Sequence, residues 1–219
     1  MVVRPADPDQ PAAKAEPVTA SLSELPFVDY QYPTKDPAGG RIAIIGEAPG
    51  AEEARTGKPF VGVSGRLLDE NLKSVGLERA TCLVGNTFRY QPPGNKVTHF
   101  FSSRTKARKL GVAVAEDLGP MGTSDYCLAE YAGEIEHLRQ TLAEIAPVVI
   151  LALGRTPLWA LTGQSGITAL RGQEIPCRLL PEAVVIPTFH PSYILRGNRV
   201  EEPLFHADIT LAAKLATSK

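Results

Sequence analysis

The chain has 219 residues and a mass of 23.5 kDa, enough to bury a core without help from disulfides or metals. With 43% hydrophobic and 21% charged residues it has a globular composition, and a formal net charge of −1 excludes coating nucleic acid by bulk charge while leaving room for a local basic face. Its three cysteines (Cys82, Cys127, Cys177) include no Cys-x-x-Cys pair, which argues against a secreted disulfide framework and a zinc ribbon. No apolar run approaches the ~18 residues of a membrane span, and the N-terminus lacks the apolar core of a signal peptide. A cytoplasmic protein with no membrane partner is expected.

Residues 1–38 read as a Pro-rich extension, partly flexible. They hold seven of the nineteen prolines, each removing an amide donor and fixing φ, although Phe27 to Tyr32 carries aromatic residues that could pack onto the domain. From residue 39 the texture changes to that of a domain running to 219. Ile42-Ala43-Ile44-Ile45 is a short apolar run ending at Gly46, the pattern of a strand buried on both faces. Apolar residues at 67, 68, 72 and 75 predict a helix over 67–77, and Cys82-Leu83-Val84 predicts a strand ending at Gly85-Asn86. Tyr131 to Ile145 is the clearest amphipathic helix, with Ile135, Leu138, Leu142 and Ile145 on one stripe and Pro147 as its stop. Then come a strand over 148–153 closed by Gly154, a helix over 156–161, a strand over 184–187 and a last helix over 203–215. Strand and helix in alternation predict an α/β fold, a three-layer sandwich around a central, mostly four-stranded parallel sheet.

Such sheets carry their sites at the carboxyl ends of the strands, so the residues just after each apolar run bear the chemistry. These are Gly46-Glu47-Ala48-Pro49-Gly50 with Phe60 downstream, Asn86 followed by Pro92-Pro93-Gly94-Asn95-Lys96, Gly154-Arg155-Thr156, and His190-Pro191-Ser192. Taken singly, each is bland: a turn glycine, a core phenylalanine, a helix cap, a surface His-Pro. A dinucleotide site fails, because the first loop is not G-x-G-x-x-G, its proline removes an amide, and no P-loop occurs. Together they supply a carboxylate, an aromatic face, an amide edge and an imidazole, the inventory for holding a flat heterocycle. Between Arg79 and Ala115 the chain carries seven basic residues (Arg79, Arg89, Lys96, Arg104, Lys106, Arg108, Lys109) and no acid, which points to a phosphate backbone as partner.

Gly-Glu-Ala-Pro-Gly, then Gly-Lys-Pro-Phe-Val-Gly-Val-Ser-Gly-Arg-Leu-Leu, then Asn86 with Pro-Pro-Gly-Asn-Lys, then His-Pro-Ser-Tyr-Ile-Leu-Arg resembles the uracil-DNA glycosylase superfamily, most closely its family 4. The resemblance spans Ile42 to about Ile209. It implies hydrolysis of the N-glycosidic bond of deoxyuridine in single- or double-stranded DNA by a monomeric enzyme. Phe60 would stack on the flipped uracil beside Ala48, Asn86 would read its N3–H and O4, and His190 would stabilise charge on O2. Ala48 stands where the best-known members carry an aspartate, which leaves Glu47 or Asn95 to organise the water. Gly62, Ser64 and Ser192 would meet DNA phosphates, and Leu195 or Arg196 would fill the gap left by the flipped nucleotide. Family 4 members usually bind an iron–sulfur cluster through four cysteines. This chain has none in its first forty residues and Tyr90 at the position four after Asn86, so no cofactor and no metal are expected. A basic insertion at about 96–125 departs from the family's usual length, as expected of a phage-encoded member. Other readings of the same residues are a DNA-binding module without turnover, action on another modified base, and covalent trapping of the abasic sugar by His99.

Overall fold

In a computed structural model, residues 22–218 are described; most of the Pro-rich extension, including the expected flexible first twenty residues, lies outside them. In chain order the elements are β1 (Ile42–Gly46), α1 (Ala51–Thr56), α2 (Val63–Ser74), β2 (Leu83–Asn86), β3 (Phe101–Ser102), α3 (Arg104–Leu110), β4 (Pro120–Met121), β5 (Asp125–Cys127), α4 (Gly133–Ile145), β6 (Val149–Leu153), α5 (Arg155–Thr162), α6 (Ile167–Leu170), β7 (Ile175–Pro176), β8 (Val184–Thr188), α7 (Pro191–Leu195) and α8 (Glu202–Thr217). The main sheet runs β2-β1-β6-β8-β7. Its first four strands are parallel, and β7 adds a short antiparallel edge that the sequence pattern did not reveal.

The apolar strand runs are continuous because both faces are covered. Ile42, Ile44, Val149 and Leu151 pack on one side with Leu68 and Leu72 of α2 and Phe205 and Ile209 of α8. Ala43, Ile45, Ile150 and Ala152 face the other way, onto Leu138 and Leu142 of α4 and Leu161 of α5. The period of two along each strand thus sorts residues into two cores, the three layers expected. The helix predicted from 67 begins at Val63 instead, with Gly62 as its N-cap. Its first turn carries an exposed Val63 (58%), Ser64 and Gly65, so no apolar spacing marks it. α4 ends through Ala146, which takes a left-handed φ of 50° and returns its amide to Leu142 ahead of Pro147.

The segment over 96–125 is built rather than looped. It holds α3 and a small antiparallel sheet, β3-β5-β4, over a third core of Phe88, Phe100, Phe101, Cys127, Tyr131 and Trp159. Trp159 Nε1 and Arg178 Nη1 donate to the carbonyls of Gly119 and Leu118 at 3.2 and 2.9 Å, pinning it to the body. The segment from Pro26 to Lys35 lies along the free edge of β2. Gln31 and Val84 exchange backbone bonds at 2.8 and 2.9 Å, and Val28 donates to Arg89. Gly85 must lack a side chain here, since a Cβ would stand 2.1 Å from the Tyr30 ring. Among the described residues no helix is long and apolar enough to cross a membrane.

Arg89 ties this strap to α4. Its Nε and Nη2 reach the two carboxylate oxygens of Glu134 at 3.0 and 2.9 Å, its backbone amide adds a third bond at 3.1 Å, and Asp29 lies 3.5 Å away. Glu134 is 5% exposed, so removing it leaves a buried guanidinium without its main partner. Glu134→Ala should cost about 3–5 kcal/mol in urea denaturation. A loss below about 1 kcal/mol, the range of exposed pairs, would show that the pair is solvated in solution.

Candidate active site

The strand order places β1 between β2 and β6, so successive crossovers leave β1 in opposite directions and a crevice opens at the carboxyl ends. A cavity of about 340 Å³ lies there, within the range of small-molecule sites. Glu47, Phe60, Asn86, Asn95 and His190 all line it, with Ala48, Ser64, Ser192 and Arg196 completing the wall.

Gly46, the last residue of β1, decides the shape of its floor. A Cβ there would stand 2.5 Å from Asn86 Oδ1 and 2.5 Å from Phe60 Cζ, so the amide and the ring meet only because position 46 has no side chain. Phe60 is held in a left-handed conformation, φ 51°, which is costly for an aromatic residue. Its carbonyl accepts from Arg79 Nη1 at 3.1 Å, the preceding carbonyl of Pro59 accepts from Nη2 at 2.6 Å, and Asp69 anchors the guanidinium at 2.9 Å. Gly65 presses from below, where a Cβ would fall 1.9 Å from the Phe60 oxygen. Asn86 is 4% exposed, and its side chain makes no hydrogen bond to any described residue. The amide lines the cavity, so both its donor and its acceptor are left for whatever enters.

His190 caps α7. Its Nδ1 accepts from the Ser192 amide at 3.1 Å and lies 2.8 Å from the Ser192 hydroxyl. An Nδ1 that accepts a backbone N–H carries no proton, so the neutral ring holds its proton on Nε2. Burial keeps this imidazole below the usual histidine range. Glu47 pulls the other way, and Arg196 reinforces the depression. The Phe60 and His190 ring centroids are 6.0 Å apart. Glu47 Oε1 accepts from the Thr156 hydroxyl at 3.0 Å and its amide at 3.4 Å. Asn95, with φ 57°, accepts from Gln91 Nε2 at 2.8 Å through Oδ1.

Several expectations need correction. The Gly62 amide, assigned to a phosphate, already donates to Glu53 Oε1 at 3.3 Å, as does that of Val61. Leu195 packs against the apolar core beneath α7, which leaves Arg196 as the exposed member of the pair. His99 bonds the Tyr131 hydroxyl through Nε2 at 2.9 Å and does not line the cavity, which removes the basis for trapping. In the basic run, Arg79 and Arg89 are structural, and Arg104 is engaged by Glu116 and the Tyr126 ring. Lys96, Lys106, Arg108 and Lys109 are exposed and form no ion pair among the described residues. Sequence reading missed Glu53, and it named Thr156 only as part of the run after the third strand, without a role. Glu53 stands three residues after the N-cap Gly50 and returns to its amide at 3.1 Å, a capping-box spacing that could have marked it.

The donor set does not fit an iron–sulfur cluster. Cys82, Cys127 and Cys177 are buried in three separate parts of the core, and a cluster of this kind wants four converging thiolates. Burial pushes all three thiols up, Cys127 to about 12. Among the described residues no group of His, Cys, Asp and Glu is placed to hold a metal ion.

A family model described as "Uracil DNA glycosylase superfamily" matches residues 33–211. The "Type-4 uracil-DNA glycosylase" of Thermotoga maritima is 36% identical over 164 residues, covering 74% of this chain and 69% of that protein. The protein of the same description from Sulfurisphaera tokodaii is 29% identical over 170 residues, covering 74% of this chain and 64% of the relative. That from Archaeoglobus fulgidus is 46% identical over 55 residues, a quarter of this chain.

The His190 geometry has a direct spectroscopic consequence. Nitrogen-15 spectra of the imidazole should show the Nε2–H tautomer near neutral pH and a titration below the ordinary histidine value of about 6.5. The unfolded chain takes up that proton at the ordinary value while the folded chain does not, so stability should fall as pH drops through this window. An Nδ1–H tautomer, or protonation above 6.5, would remove the Ser192 amide as a donor to the ring.

Proposed function

The chain belongs to the uracil-DNA glycosylase superfamily, and from that premise and the cavity we propose that it hydrolyses the N-glycosidic bond of deoxyuridine in DNA, releasing uracil. The observation that carries the reading is the Asn86 amide, bonded to no described residue, lining the cavity against the Phe60 ring across Gly46. A flipped uracil entering this gap stacks on Phe60 beside Ala48 and offers its N3–H and O4 to one amide, which can accept and donate at once. Cytosine, with an acceptor at N3 and a donor at N4, would leave both groups opposed.

In this reading bond breaking moves the N1–C1′ electron pair onto the base, and negative charge grows on O2. His190, neutral and protonated on Nε2, donates to that oxygen, a bond that strengthens as charge develops and so lowers the barrier. Water attacks C1′ and passes a proton to Glu47 Oε2 as the new C–O bond forms. Glu47 Oε1 is occupied by Thr156, and Oε2 is the oxygen that orients the water. Asn95 Oδ1 is already engaged by Gln91, which favours Glu47 for that role. Ser64 and Arg196, on the cavity wall, contact the phosphates flanking the extruded nucleotide, whereas Ser192 spends its amide and hydroxyl on His190.

The test is incubation of the purified protein with single- and double-stranded uracil oligonucleotides, followed by alkali. Free uracil and an alkali-labile site are expected; a gel shift without an abasic product would instead identify a binding module. His190→Ala should lower the single-turnover rate by about two to three decades with little change in DNA affinity. Asn86→Asp should cost at least about a decade, since an ionised carboxylate cannot donate to O4. Wild-type rates in both variants would remove these residues from the chemistry.

The exposed cations of the 96–125 insertion fit the DNA backbone. Replacing Lys96, Lys106, Arg108 and Lys109 together by alanine should reduce the slope of log affinity against log salt on duplex DNA by up to about 3.6, at about 0.9 per phosphate contact. An unchanged slope would place the backbone on another surface.

A further inference from the structure

The bond between Glu47 and Thr156 joins residues 109 positions apart, one at the carboxyl end of β1 and the other in the first turn of α5 beyond β6. It crosses the crevice at the point where the two central strands diverge. Thr156 is fully buried, so its hydroxyl cannot turn to solvent. That hydroxyl has one proton and two acceptors in reach, Glu47 Oε1 at 3.0 Å and Met121 Sδ at 3.8 Å, and a carboxylate oxygen at the shorter distance takes it. The Thr156 amide, one of the unsatisfied donors at the start of α5, points at the same oxygen from 3.4 Å. Gly154, with φ 100°, completes the seat, since a Cβ there would come within 3.3 Å of Glu47 Oε1.

Two donors on one oxygen fix a carboxylate in rotation as well as in place. We infer that Thr156 is a positioning residue for the hydrolytic step, holding Oε1 of Glu47 so that Oε2 alone is presented to the attacking water. This inference rests on the glycosylase reading and on Glu47 as the group that orients water. A carboxylate released from Thr156 turns about its last bond and loses the aligned water, while the walls that bind uracil, Phe60 and Asn86, are untouched. The effect therefore belongs to the chemical step and not to substrate binding.

The experiment is single-turnover excision from a uracil oligonucleotide with Thr156→Val, Thr156→Ser, Glu47→Gln and the Thr156→Val/Glu47→Gln double variant, alongside DNA affinity and thermal denaturation. Thr156→Val removes the hydroxyl at nearly constant volume and should lower the rate about tenfold to a hundredfold, with affinity within about threefold of wild type. Thr156→Ser keeps the donor and should restore the rate to within about threefold. In the Glu47→Gln background Thr156→Val should cost little more, because its effect passes through Glu47. A wild-type rate for Thr156→Val overturns the inference, as does an equal loss with and without Glu47, or a loss matched by falling affinity and melting temperature. A wild-type rate for Glu47→Gln overturns instead the assignment of Glu47, and the inference falls with it.

Discussion

One missing side chain organises the site. Gly46 ends β1 where the Phe60 ring and the Asn86 amide close from opposite sides, each within 2.5 Å of where a Cβ would stand. The strand supplies the rigid floor, but the walls come from distant segments, and each needs its own support. Phe60 is held against an unfavourable φ by three anchors: Arg79 on two carbonyls, Gly65 packed beneath, and Glu53 drawing in the amides of 61 and 62. Asn86 needs no anchor of its own beyond β2, since it is the strand's last residue and its Cα is registered against Gly46. The cavity is therefore preorganised on its Phe60 and Asn86 side, which lowers the ordering cost of binding there.

The electrostatics follow from that packing. His190 and Glu47 share one crevice, and without other partners the carboxylate would draw a proton onto the imidazole. Two devices resist this. The Ser192 amide occupies Nδ1, so protonation there would oppose two donors, and burial disfavours the cation. Glu47 in turn is satisfied by the start of α5 rather than by the histidine. A donor that remains neutral and a carboxylate that remains anchored are what the proposed reaction would require of His190 and Glu47.

Much of this was legible in the sequence because strand ends carry the chemistry. Glu47, Asn86 and His190 follow short continuous apolar runs, the mark of strands covered on both faces, so their convergence at one sheet edge could be expected. The supports were not legible. Arg79 and Arg89 belong to a basic run and look like phosphate ligands, yet both are consumed by internal partners, because charge counts along the chain do not register acids such as Asp69 and Glu134 that approach through folding. The small sheet β3-β5-β4 was hidden for a different reason. Strands of two or three residues are too short for any period, and their stability comes from the aromatic cluster of Phe88, Phe100, Phe101 and Trp159 beneath them.

That cluster and the N-terminal strap also bear on the absent cysteines. The resemblance implies relatives in which a metal cluster ties the N-terminal segment to the loop after the motif asparagine. Here Tyr90 stands in that loop, and its ring meets Phe27 of the strap at 5.2 Å while their backbones form an antiparallel bridge. Arg89 beside it lies over the Phe27 ring at 5.0 Å and grips Glu134 on α4. The two segments are thus joined by stacking, a buried ion pair and the backbone bonds along β2. Each contact is weaker than a metal–thiolate bond, but they act together on one short stretch of chain. The loop from Thr87 to Asn95 is fastened at its base to α4 and the strap, and its far end at Asn95 stands on the cavity wall.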